Sequence, residues 1–116
     1  MELNRINNKL TEILEKIDER QESCNIAKAN FENLKDQKDL MLAFHSMEFE
    51  GSEASIKRHA LASVGYKGYV DGLAEARTEY MKALAVKNSM DITISVLQTM
   101  GSNIRSELKL TPYAQG

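Results

Sequence analysis

The chain has 116 residues, which is enough for one domain and too few for two independent cores. Its 42% hydrophobic and 28% charged residues are ordinary globular usage, so neither a disordered tail nor a membrane protein is expected; seventeen acids against fifteen bases exclude a global basic field that would draw in nucleic acid. Six glycines and one proline, with no glycine before Gly51, exclude a β-sandwich with its frequent turns. The lone cysteine, Cys24, has no internal disulfide partner, and the start of the chain lacks a charged-then-apolar leader, so a cytoplasmic location is expected. No apolar run approaches the roughly 20 residues needed to cross a bilayer.

In chain order, the first expected element is a helix over 2–50. Leu3, Ile6, Leu10, Ile13, Ile17, Cys24, Ala27, Phe31, Leu34 and Met41 recur at alternating three- and four-residue spacing, the seam of a coiled coil. Arg20, Lys38, His45 and Glu48 interrupt the seam without shifting its register. Gly51-Ser52 is the first breaker, with Ser52 available as an N-cap and Glu53 placed to favour the helix dipole. A short helix over 53–64 should follow, with Ile56, Ala60, Leu61 and Val64 inward, and it should fail at Gly65-Tyr66-Lys67-Gly68 through a turn or a kink.

The seven-residue repeat then resumes in a new register: Tyr66, Tyr69, Leu73, Ala76, Tyr80, Ala83, Met90, Ile94, Leu97, Ile104 and Leu108, with Lys87 and Gly101 as exceptions. This predicts a second long helix over 66–108 and a frayed tail over 109–116, which contains Pro112. Residues 91–96 alternate polar and β-branched side chains as a strand would, but a strand without a partner leaves backbone groups unpaired, so the helix is preferred. The expected fold is all-α, a long antiparallel helical hairpin with coiled-coil-like packing and a short helix at the bend.

The seam does not account for all the apolar residues. Leu40, Met41, Leu42, Phe44, Met47 and Phe49 surround the first helix, where the short helix can cover them. On the second long helix, Met81, Leu84, Val86, Ile92 and Val96 have no evident cover within one chain and are the candidate protein interface. A homodimer forming a four-helix bundle would bury them. Residues 1–50 carry eleven acids and seven bases, and residues 51–116 carry six acids and eight bases, so the two halves should attract weakly.

Chemistry-bearing constellations are few. His45 and Glu48 share a helix face, but a di-iron bundle needs two Glu-x-x-His pairs with further glutamates, and the only other histidine is His59; no metal and no cofactor is expected. Cys24 has no histidine near it in sequence to activate it. Asp71, Glu75 and Glu79 form a stripe of the kind common on solvated faces, and no phosphate loop, Cys-x-x-Cys pair or nucleophile elbow occurs, so an enzyme is not expected. Lys57, Arg58, His59 and Lys67, with Tyr66 and Tyr69, form one basic and aromatic cluster that would allow a nucleic-acid contact at the bend. A helix-turn-helix is disfavoured, because the following helix opens with Tyr69-Val70-Asp71-Gly72 and soon adds Glu75. A solvated tip with its tyrosines turned to the core is the stronger reading.

Ser55-x-x-Arg58 leading to Ala62-Ser63, then Tyr66, Tyr69, Leu73, Ala76 and Tyr80, and a closing Ile94 to Gln98-Thr99, Ser102-Asn103 and Arg105 carry a resemblance. Over about half its length the chain resembles a diffuse group of small helical phage and prophage proteins encoded near replication and recombination genes. Leu97 and Gln98 stand where that group carries an aromatic and an arginine. Length and hairpin form are also similar to secreted hairpins of the Trp-x-Gly class, but the chain has no tryptophan. The first resemblance implies a phage protein near single-strand annealing proteins or exonucleases, and no catalytic residues. The expected function is a non-enzymatic protein-interaction scaffold, accessory to DNA replication or recombination. The alternatives are a nucleic-acid-binding accessory protein using the bend and a phage inhibitor of a host defence enzyme.

Overall fold

The computed structural model describes residues 2–110, which fold into four helices: α1 (Leu3–Asp36), α2 (Lys38–Ser46), α3 (Glu53–Leu61) and α4 (Val64–Leu110). Among the described residues there is no strand, and 91–96 are helical within α4. The expected tail over 109–116 begins inside α4, and from 111 onward, Pro112 included, it lies outside the described residues. Two compact units divide the chain, the first formed by Met1–Ser23 with Leu84–Gly116 and the second by Cys24–Ala83.

In the first unit the core is aliphatic. Ile6 is fully buried, Leu97 and Gly101 are buried, and Leu3, Leu10, Ile13, Ile17, Met90, Ile94 and Ile104 are half-buried, so the seam positions of both long helices turn inward. Ile6 Cγ2 lies 3.6 Å from where a Cβ on Gly101 would sit, which is ordinary van der Waals packing. The exception at Gly101 thus remains a core position, filled from across the seam.

The second unit is built around rings. Tyr66 and Tyr69 are buried with ring centroids 5.7 Å apart, and Phe31 stacks on Tyr80 at 6.1 Å while the Arg77 guanidinium lies 5.5 Å from the Phe31 centroid. Cys24, Ala60 and Ala76 complete its buried apolar set. The Tyr69 hydroxyl donates to the Leu34 carbonyl.

The helix expected over 2–50 is interrupted at Gln37 and ends at Ser46. In an unbroken helix the Leu34 carbonyl would accept the Lys38 N–H. Here it takes the Tyr69 hydroxyl and, at 3.2 Å, the Gln37 N–H, so the last turn of α1 tightens and a new helix starts one residue later. The break comes from a side chain 35 residues away, and neither glycine nor proline marks it.

After α2, the Met47 and Phe49 N–H groups bond back to Phe44 and Ser46, and Gly51 takes φ +127°, a left-handed conformation that glycine accepts without strain. Ser52 caps α3 as its position suggests, accepting the Ser55 N–H at 3.2 Å, with Glu53 in the first turn. The short helix expected over 53–64 stops at Leu61. The failure expected at 65–68 is displaced to Ala62-Ser63, and Gly65 and Gly68 lie inside α4. Ser63 makes the restart possible, donating to the Ala60 carbonyl at 2.7 Å and accepting the Tyr66 N–H at 3.2 Å, an N-cap that lacks the glutamate of a capping box.

Gly65 answers a different demand. A Cβ there would lie 2.3 Å from His45 Cε1 and 2.6 Å from Nδ1, so the His45 ring occupies the space of the missing side chain. His45 is buried, edge-on to Phe44 at 5.2 Å, and its Nε2 has no hydrogen-bond partner. The polar interruption of the seam at His45 is therefore packed inward, whereas Arg20, Lys38 and Glu48 are exposed.

Candidate functional site

Lys57, Arg58, His59 and Lys67 are all exposed, but the structure does not gather them on one face. Consecutive residues on a helix point about 100° apart, so Lys57, Arg58 and His59 radiate from α3. Lys57 lines a cleft shared with Asp39 and Glu53, and His59 stacks on Phe49 with centroids 5.5 Å apart. Tyr66 and Tyr69, which would have to stack on bases, are buried in the ring cluster. Burial raises the Tyr69 hydroxyl above its ordinary pKa, reinforced by Tyr66, Asp36 and Asp39.

The candidate interface residues on α4 divide by helical phase. In the first unit Ile92 and Val96 are exposed and fall about 40° apart on the face opposite the seam, and in the second unit Met81 is exposed. Val86, exposed, and Leu84, half-buried, lie on opposite flanks of the seam. Residues 83–104 contain only two charged side chains, Lys87 and Asp91, and these pair with each other at 3.5 Å. The outer face of this stretch is therefore uncharged, with Ala85, Ile92 and Val96 along it among Asn88, Ser89, Ser95 and Thr99.

A second apolar surface runs along α2. The expected cover by the short helix does not form over Leu40, Phe44 and Met47, which recur at i, i+4 and i+7 and remain exposed, Met47 to 82%. The helix α3 packs instead on the neighbouring face of α2, and Val64 beyond it is 88% exposed. The all-round apolar character of 40–49 is the signal for this surface in the sequence, and α3 covers only the side of α2 that carries Leu42.

Between α2 and α3 lies an open cleft of about 590 Å³, lined by Asp39, Leu42, Ala43 and Ser46 from α2, Gly51 from the turn, and Glu53, Ile56 and Lys57 from α3. No motif in the sequence marks it, because its residues combine only when the two short helices fold against each other. Among the described residues, no group of three or more His, Cys, Asp and Glu side chains could hold a metal, and no helix is long and apolar enough to cross a membrane. No protein-family model, no curated protein and no solved structure matches the chain.

Proposed function

We propose that the protein is a non-enzymatic helical scaffold that pairs with a second copy along α4 and acts by binding another protein, as an accessory to DNA replication or recombination in a phage. The hairpin form belongs to this reading. Within the second unit, Phe31 meets Tyr80 and Leu34 meets Tyr69, the order expected of antiparallel helices. The phage setting rests on the resemblance over the second half of the sequence.

The observation that carries the proposal is the charge-free outer face of α4 around Ile92, itself 64% exposed. A solvated helix face in a single-chain protein is ordinarily studded with charge, whereas this face, where Ala85, Ile92 and Val96 alternate with Asn88, Ser89, Ser95 and Thr99, carries no charge to desolvate and meets an identical face without repulsion. The stretch is roughly 30 Å long, a length suited to helix pairing. Light scattering tests it. The unmodified protein should have the mass of a dimer at micromolar concentration, and the variant carrying Ile92→Glu and Val96→Glu should be a folded monomer, because these changes avoid the seam. An unmodified protein that stays monomeric at high micromolar concentration would overturn the pairing.

A further inference from the structure

We propose that the cleft between α2 and α3 is a binding site of its own, and that it receives a helical segment of a partner protein carrying a basic side chain next to an apolar one. The inference rests on the protein-binding reading for the nature of the occupant, but it uses no residue of the α4 stripe. Each helix contributes one face at helical spacing, positions 39, 42, 43 and 46 on α2 and 53, 56 and 57 on α3, so the cleft is a true interhelical groove. Its volume of about 590 Å³ is that of a side-chain cluster rather than of a single water. Half-buried Leu42 and Ile56, with Ala43, supply the apolar floor.

The charges around that floor select the occupant. Asp39, Glu53 and Lys57 take part in none of the ion pairs among the described residues, which leaves one negative charge uncompensated at the rim. The arrangement is also lopsided. Ser46, Gly51 and Glu53 lie beside the connecting turn, whereas Asp39 and Lys57 lie away from it, so one end of the groove is acidic and the other mixed. Ser46 donates its hydroxyl proton to the Leu42 carbonyl at 2.6 Å, so its oxygen can only accept from an incoming group. An arginine or lysine would donate to Glu53 and Ser46 at the turn end, while an apolar residue one helical turn away fills the space over Leu42, Ala43 and Ile56. An acidic occupant would face Glu53 and Asp39.

The test uses three alanine-based helical peptides: one with Leu and Arg four residues apart, one with Glu in place of Arg, and one with Ala in place of Leu. Titrations are followed through the backbone amide resonances of the full chain. The Leu/Arg peptide should move the signals of residues 39–46 and 51–57 saturably, and both other peptides should bind about fivefold more weakly or worse. Glu53→Gln should bring the Leu/Arg and Leu/Glu peptides to within about twofold of each other while leaving the amide spectrum otherwise folded. Equal binding of the Arg and Glu peptides, shifts confined to other parts of the molecule, or no shifts at millimolar peptide would each overturn the assignment. Light scattering on the same samples reports the α4 pairing separately, so a dimer that ignores the peptides removes the cleft site alone, and a monomer that binds them removes the pairing alone.

Discussion

The unit formed by Cys24–Ala83 holds every aromatic ring among the described residues, whereas the described residues of the one formed by Met1–Ser23 and Leu84–Gly116 hold none. In the first unit, order comes from aliphatic side chains repeating along two helices, an arrangement that depends on how much apolar surface is buried and little on the identity of each partner. In the aromatic unit it comes from individual fits: a hydroxyl on one carbonyl, a guanidinium over one ring, an imidazole in the space left by one glycine. The contrast teaches that the two units should fail differently. Repetition tolerates substitution on average and concentrates loss at its one sealed position, while a set of particular contacts fails at each of them.

The largest effect should come from Ile6→Ala. Ile6 is the one large side chain among the described residues that is fully buried, and truncating such a group costs about 2–5 kcal/mol through lost transfer energy and the cavity left behind. Hydrogen exchange resolved by residue should show lost protection across 3–23 and 84–110, with the amides around Tyr66 and Tyr69 retained, as in sub-global opening. Uniform loss of protection in both units would mean that they unfold as one, and the distinction would go.

Glycines sharpen the comparison through opposite signs. Gly65→Ala drives a methyl into the His45 ring, and overpacking of this kind costs about 1–3 kcal/mol. Gly101→Ala meets only Ile6 and the end of Arg105 at 3.5 Å or more, so the gain in helix propensity should prevail, a stabilisation of about 0.5–1 kcal/mol. Urea midpoints of the two variants should therefore move in opposite directions. A rise in both would show that the His45 ring has room to turn aside.

Much of this was legible beforehand. The repeat predicted the two inward faces nearly residue by residue: Ile6, Cys24, Tyr66, Tyr69, Ala76 and Leu97 are all buried seam positions, because a heptad pattern is a direct record of which face avoids water. Ser52 was legible for the same local reason, since a cap acts within three residues of itself. The breaks at Gln37 and Ala62-Ser63 were not. One depends on a hydroxyl arriving from Tyr69 and the other on a serine cap without its usual glutamate, while Gly65 and Gly68 both lie within a helix, Gly65 as the space for the His45 ring and Gly68 with nothing packed against it. The surfaces were half legible. The sequence marked α4 as over-apolar, but which of Leu42, Ala43, Phe44 and Met47 faces α3 follows only from how the two short helices meet.

The smallest expected effect is at the most specific contact. Tyr69→Phe removes the hydroxyl from the Leu34 carbonyl, but it also frees that carbonyl for the Lys38 N–H, so part of the loss is offset and the net cost should be about 0.5–1 kcal/mol near neutral pH. Its dependence on pH carries the information. Burial, with Tyr66, Asp36 and Asp39 nearby, raises the folded-state pKa of Tyr69, so the folded chain holds the phenolic proton more tightly than the unfolded chain does. The resulting stability is fully present below the unfolded tyrosine pKa of about 10 and is lost as pH rises through the folded value. Phenylalanine has no such proton to lose. The advantage of the unmodified protein over Tyr69→Phe, read from urea midpoints, should therefore be steady from neutral pH to about pH 9, then shrink as pH rises through about 10. A difference that stays constant through that window would mean the hydroxyl titrates alike in both states, and its proposed part in ending α1 would have to be carried by the Gln37 N–H alone.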